Sequence, residues 1–478
     1  MLLLALLPLV LAPLALAALA LAVPRARWRP RLLLVGAGLH AAAVAALWAL
    51  RPGPTLSGWL ALDAAGLLTL STASAVFLAS AVYVQGYLAT HPERDDRVFV
   101  GSLLALLAAM TGAALAQNLG LLWVIIELTT LATAPLIYFR HDALSLEATW
   151  KYLMVCSLGI ALALLGTFFL AFSSAGPGGP QTLLLPDLIA AGDRLSRPWV
   201  RAAFAFLLAG YGTKMGLAPF HAWKPDAYGE APGVLGALLA GGVTNIAFLA
   251  LVRATSVCQA AGEGPFARSA LLGVGLLSMG VAAVFMVGQR DFKRLLAYSS
   301  VEHMGILALG VGLGGAAAAG AFFHMVNNGL TKGVLFLTAG NIHRAYGTKD
   351  TDRVRGAARR LPLSGPLFLL GFLAVTGSPP FAPFFSEFAI LSGALGGGRW
   401  LVAAAYLALL ALIFVTMGST VLRIVQGEPR QPAEPGFGDV ATTAGPPLLL
   451  LLAVLALGLW VPRGLLDLFD AAAALVRG

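Results

Sequence analysis

The chain has 478 residues, 59% of them hydrophobic and only 11% charged, where a soluble domain carries roughly a quarter charged. That composition excludes a water-soluble globule. At about 20 apolar residues per crossing and about 10 to 15 per loop, the length holds on the order of 14 to 16 membrane spans and no sizeable soluble domain. The net charge of +9 does not mark a nucleic-acid binder, because the Lys and Arg are scattered through short loops and form no basic face.

In chain order, the apolar run 2–23 has no positive residue before it and is followed by Arg25, Arg27, Arg29 and Arg31. It therefore reads as a first span with its amino end outside, not as a secretory signal. Further spans are predicted at 32–50, 60–88, 98–117, 119–139, 147–172, 200–220, 233–251, 269–288, 295–313, 316–342, 361–395, 400–425 and 440–461, fourteen in all. The positive-inside rule gives an independent check. With these spans, 19 of the 31 Lys and Arg fall on the cytoplasmic side and 9 outside, while Lys151, Lys214 and Lys332 lie within spans. Both termini are then outside, in a cell (inner) membrane. The two cysteines, Cys156 and Cys258, have no Cys or His at metal-ligand spacing, so no metal site and no bound cofactor is expected.

Two spans are too irregular to be single straight helices. Span 361–395 would be about 52 Å long at 1.5 Å per residue, against a hydrocarbon layer of about 30 Å, and Gly377-Ser378-Pro379-Pro380 interrupts it. The seventh span carries Gly212, Gly216 and Pro219, which also predict a break with freed backbone groups. Breaks five spans apart point to two five-helix repeats, and an odd number of crossings inverts the second. The expected organisation is three N-terminal helices (1–97), a first repeat (98–253), an inverted second repeat (269–426) and a terminal helix with its tail (440–478). The fold class is an all-α polytopic membrane protein.

A charged side chain near a helix centre costs roughly 2.5 to 3.5 kcal/mol on the insertion scale, yet this chain carries several. Glu127 lies in the fifth span, Lys151 in the sixth, Lys214 at the seventh-span break, Glu302 and His303 in the tenth, His324 and Lys332 in the eleventh, and Glu387 just past the twelfth-span break. Two readings stand for Lys151 and its neighbour Glu147: members of a buried path, or side chains snorkelling at a helix end. For Glu127, Lys214, Lys332 and Glu387 the alternatives are a proton path and a static ion pair. Burial disfavours the charged form of either residue type, and a neighbouring opposite charge restores it, so alternating Glu and Lys predict a proton relay gated by its neighbours. Glu387 is expected to pair with Lys332. Asn118, Asn245, Asn327 and Asn328 are candidates for holding connecting water. Gly310-Val-Gly312-Leu-Gly314-Gly315 matches a dinucleotide fingerprint in letters only, since no strand precedes it.

The runs Trp123-Val-Ile-Ile-Glu127-Leu-Thr-Thr130, Lys214-Met-Gly-Leu-Ala-Pro219-Phe-His-Ala-Trp-Lys-Pro-Asp226, Lys293 to Gly305 with its Glu302-His-Met-Gly, and Gly377-Ser-Pro-Pro-Phe resemble the antiporter-like proton-translocating subunits of respiratory complex I and membrane-bound nickel–iron hydrogenases. The resemblance covers roughly 98–425 and is strongest to component F of hydrogenase-4 and formate hydrogenlyase. It implies a hydrated polar axis at mid-membrane. Glu127 takes the place of the coupling glutamate, Lys214 of the broken-helix lysine, Lys332 of the linking lysine and Glu387 of the terminal glutamate. Where many relatives carry a Lys or His on the eighth helix, this chain has Asn245, which opens a gap between Lys214 and Lys332. The implied partners are other membrane subunits, a peripheral redox arm, protons or sodium, and the bilayer. Three functions remain open at this point: a proton-translocating subunit of a redox-driven complex, a subunit of a sodium/proton antiporter, and a membrane anchor without transport.

Overall fold

The computed structural model describes residues 6–89, 96–175, 182–429 and 437–477; residues 2–5 of the first predicted span and both chain ends lie outside them. The chain is helical almost throughout, with only isolated β-bridges among the described residues. In order the helices are α1 (Leu7–Ala22), α2 (Arg29–Leu50), α3 (Ala64–Leu88), α4 (Arg97–Leu115), α5 (Leu119–Ile137), α6 (Ala143–Ser174), α7 (Leu185–Ala191), α8 (Arg197–Met215), α9 (Trp223–Glu230) and α10 (Gly233–Leu238). They continue with α11 (Thr244–Ala260), α12 (Gly264–Met286), α13 (Phe292–Leu313), α14 (Gly315–Tyr346), α15 (Ala357–Arg360), α16 (Ser364–Val375), α17 (Ala382–Gly396), α18 (Trp400–Val425), α19 (Ala441–Leu459) and α20 (Arg463–Ala474). Among the described residues, ten continuous helical stretches are long and apolar enough to cross a membrane. The chain is a multi-pass membrane protein.

Local chemistry sets many of the helix ends. Asn118 accepts from Leu121 N at the start of α5, Asp142 and Ser145 form a reciprocal capping box at α6, and Asp291 accepts from Lys293 N and Arg294 N at α13. Each satisfies backbone donors that the first helical turn leaves unpaired. Both expected breaks are present. α8 stops at Gly216, whose φ of +80° suits glycine, and the chain restarts as α9; α16 stops before Gly377, at φ +65°, and restarts as α17. A third irregularity was not foreseen. One wide turn, Leu239–Val243, lies between α10 and α11, immediately before Asn245.

The stretch Gly233–Ala260 is buried from Gly233 to Cys258, and Phe292–Leu313 is mostly buried, whereas Trp400–Val425 leaves most of its residues on the outside of the bundle. Two helix pairs close in through small residues, as membrane packing favours. A Cβ on Gly210 of α8 would come within 2.5 Å of Gly159 O of α6. A Cβ on Gly275 of α12 would come within 2.8 Å of Gly305 O of α13. The first contact holds Lys214, one turn beyond Gly210, against the wall of α6; the second fixes Glu302 and His303, just ahead of Gly305.

Candidate functional site

Lys214 lies in the last turn of α8 and is fully buried. Its Nζ donates to Thr130 Oγ1 at 2.9 Å and to Tyr152 OH at 2.7 Å. Thr130 in turn donates to Glu127 Oε2 at 3.0 Å, one helical turn back on α5, and Ser157 donates to the other carboxylate oxygen at 3.1 Å. The ammonium and the carboxylate therefore do not touch. A threonine hydroxyl stands between them and holds them within about 6 Å.

The second half of the chain repeats this unit with other residues. Lys332 on α14, fully buried, donates to Ser299 Oγ at 2.6 Å, and Ser299 donates to Glu302 Oε2 at 3.4 Å, again one turn away on the same helix, α13. Lysine, hydroxyl and glutamate again form one bonded series spanning about 6 Å. At that separation and an effective dielectric of about 20, unit charges interact by roughly 3 kcal/mol, or about two units of proton affinity on the logarithmic scale. Each unit thus lets the charge of one partner govern the proton on the other.

Beyond Glu302 the chain of polar contacts runs on. His303 Nε2 is 3.8 Å from Glu302 Oε2, His303 Nδ1 and His324 Nε2 are 2.9 Å apart, and His324 Nδ1 is 3.0 Å from Ser386 Oγ on α17. Glu387 follows Ser386. Its Oε2 packs against Gly377, where a Cβ would collide with it, and its Oε1 has no hydrogen-bond partner among the described residues. Donor atoms of His303, His324 and Glu387 all lie within 4.8 Å of one another. Two imidazoles and a carboxylate can share a proton, and they are also a transition-metal donor set, which spacing along the chain did not reveal because they come from three helices. Glu387 also lines a cavity of about 350 Å³ beside Gly377, Ser378 and Tyr406.

The chain matches the family described as NADH:quinone oxidoreductase/Mrp antiporter, transmembrane, over residues 116–413. It belongs to that family. Among similar proteins, the hydrogenase-4 component F homolog of Methylacidiphilum infernorum (isolate V4) is 36% identical over 381 residues, 78% of each chain. A Na(+)/H(+) antiporter subunit of Alkalihalophilus pseudofirmus is 28% identical, over 77% of this chain and 73% of that one. A polypeptide of respiratory complex I from Thermus thermophilus superposes along the full length of both chains with a TM-score of 0.84 at 27% identity.

Within this family member the predicted residues fall into separate groups. Glu127 and Lys214 belong to one hydrogen-bonded unit, Lys332 and Glu302 to a second, and His303, His324 and Glu387 cluster beyond Glu302. Lys151 stands apart from these: its side chain is 48% exposed and pairs with Glu147 at 2.6 Å and Asp226 at 2.9 Å, the arrangement of a helix-end ion pair. The expected Lys332–Glu387 pair is corrected, because Lys332 turns to Ser299 while Glu387 sits beside the histidines. Asn245 is fully buried, donates to Gly241 O at 3.0 Å, and has no partner for Oδ1 among the described residues.

Sequence reasoning passed over the bridging hydroxyls Thr130 and Ser299, and it assigned Lys224 to a cytoplasmic loop. Lys224 is fully buried, with Nζ 3.0 Å from Ser300 Oγ. Its one sequence signal is its place after a mid-membrane break, where the chain returns to the interior. His40 and Asp63 each hold hydrogen-bond partners between helices. His40 bonds Ser74 and Thr111, and Asp63 caps α3 and receives Gln117 and Arg253.

Proposed function

We propose that this chain is the proton-translocating membrane subunit of a redox-driven complex, of the hydrogenase-4 and formate hydrogenlyase kind or of the complex I kind. Protons would pass along Glu127, Lys214, Lys332, Glu302, His303, His324 and Glu387, with Lys151 at the approach to the first unit. The observation that carries this reading is the pair of lysine–hydroxyl–glutamate units in one membrane bundle, each built on a fully buried lysine. Buried charge on this scale is retained where it does work, and units that charge and discharge one another suit a relay. The 36% identity to a hydrogenase-4 component F homolog supports the redox-driven assignment.

The same reading includes fourteen crossings, two inverted five-helix blocks at 98–253 and 269–426, a cell (inner) membrane location with both termini outside, and assembly with other membrane subunits and a peripheral redox arm. That arm would supply the oxidation chemistry. The test is the assembled complex, isolated through a tag on this chain and reconstituted in vesicles. Wild type is expected to take up protons as electrons flow, and K214Q and E127Q to lose that uptake while electron transfer continues. Unchanged uptake in both variants would overturn the relay. A second reading, membership of a sodium/proton antiporter, is favoured by the 28% identity to the Alkalihalophilus antiporter protein. It predicts sodium-dependent proton exchange without any electron donor.

A further inference from the structure

The two lysine units sit on different helices, and the buried segment α10–α11 beside them places Asn245 there, whose amide holds no exchangeable charge at ordinary pH. Lys224 lies across this gap. Its aliphatic stem crosses Gly216, two residues beyond Lys214: a Cβ built there would collide with Lys224 Cδ and come within 2.6 Å of Cε and 2.9 Å of Nζ. At its far end Nζ donates to Ser300 Oγ at 3.0 Å, and Ser300 O lies at 3.4 Å. Ser300 adjoins Ser299, the residue that receives Lys332. One side chain thus reaches from the turn after Lys214 to the serine pair that holds Lys332.

The surroundings keep it there. Trp223 Nε1 donates to Thr213 O at 2.8 Å, and the Trp223 ring lies 5.1 Å from that of Tyr152, the phenol bonded to Lys214. On the other side the Tyr228 ring centre is 5.8 Å from Lys224 Nζ. α9, which carries Lys224, is clamped by Asp226 to Lys151 at 2.9 Å and to Arg294 at 2.5 Å. Lys224 itself makes no ion pair with any acid among the described residues. A buried ammonium without a carboxylate is costly as a permanent charge, but the same side chain is tolerable if it alternates between amine and ammonium.

We propose that Lys224 is the proton-carrying group that joins the two blocks of the relay. This rests on the proton-translocation reading above. The amine of Lys224 takes one proton from the Lys214 side and becomes ammonium. It then gives one proton toward Lys332 along the Ser300 and Ser299 hydroxyls and intervening water, and returns to amine. Each transfer moves a single proton and no electron, so no co-reactant is consumed.

The test uses the same reconstituted complex, with K224Q, K224R and K214Q compared against wild type for assembly, electron transfer and protons taken up per electron. Arginine keeps the charge but does not release its proton. K224Q and K224R are therefore both expected to assemble, to transfer electrons within about twofold of wild type, and to lose proton uptake to the extent that K214Q does. Wild-type uptake in K224Q, or uptake restored by K224R, would overturn the proposal, the second showing that a fixed charge suffices. Should K224R fail to assemble, K224H decides: a carrier role predicts partial recovery over K224Q, a static cation none. If wild type pumps and K214Q does not, yet K224Q pumps normally, only the role of Lys224 falls. If wild type shows no redox-coupled uptake at all, the functional reading falls with it.

Discussion

Thr130 and Ser299 are ordinary residues by composition, yet each is the only bonded atom between a buried ammonium and its carboxylate. Hydrogen bonds to charged groups are worth about 1.5 to 3 kcal/mol, so removing the hydroxyl is expected to weaken communication within the unit by roughly tenfold to a hundredfold. T130V and S299A should each lower protons taken up per electron in the reconstituted complex, whereas T130S, which keeps the hydroxyl, should stay near wild type. Equal behaviour of T130V and T130S would show that the hydroxyl is not on the path. The charged members of both units were legible in the sequence because a Glu or Lys amid apolar turns stands out against its cost. The hydroxyls were not, since Ser and Thr occur freely in membrane helices and only three-dimensional proximity distinguishes these two. Lys224 was missed for a different reason: a loop assigned by chain order does not show that its backbone dips back into the bundle.

The broken helices act as elements, not as single residues. At the second break, Gly377 has φ +65°, a conformation that costs any other residue, and its missing Cβ makes the room that Glu387 Oε2 occupies. G377A is expected to displace that carboxylate and to match E387Q in loss of proton uptake. The control is Gly396, at the end of α17, where a Cβ meets nothing within 4 Å; G396A should be silent in the same assay. Wild-type uptake in G377A would separate the break from the function of Glu387. Both breaks were readable because Gly and Pro punctuate them. The wide turn at Leu239–Val243 carries no proline, and a Leu-Ala-Gly-Gly-Val run reads as plain helix until packing against α14 is seen. There, a Cβ on Gly241 would fall 2.7 Å from Gly329 O.

At the scale of the molecule, Arg253 fastens α11 to the end of α4 and to Asp63 at the start of α3. It is fully buried, gives Nη1 to Ala113 O and Ala116 O at 3.1 and 2.6 Å, and gives Nη2 to Ala114 O and Asp63 at 2.7 and 3.0 Å. R253M strands those acceptors, and breaking a buried charged pair costs about 3 to 5 kcal/mol. A clear drop in the unfolding temperature of the detergent-solubilised protein is expected, and unchanged melting would show the contact to be dispensable. The loops also sort onto two faces. Arg359–Glu428 at 3.0 Å and Arg423–Asp352 at 3.4 Å join the segment before α16 to the last turn of α18 and the residues after it, while Arg268, Gly314, Gly397 and Arg399 line one cavity with Arg477. The face with Arg477 therefore gathers the segments assigned outside. Arg29, Lys224 and Lys293, which the span count assigns to the cytoplasmic side, and Arg253, which it assigns to the other, are buried. Setting them aside leaves 16 Lys and Arg against 8, so the asymmetry that orients a membrane protein survives. An alkaline phosphatase fused after Gly478 should accordingly be active and a green fluorescent protein there dark, with the opposite outcome for fusions after Arg360. The reverse pattern would invert the orientation while leaving the two-faced grouping of loops in place.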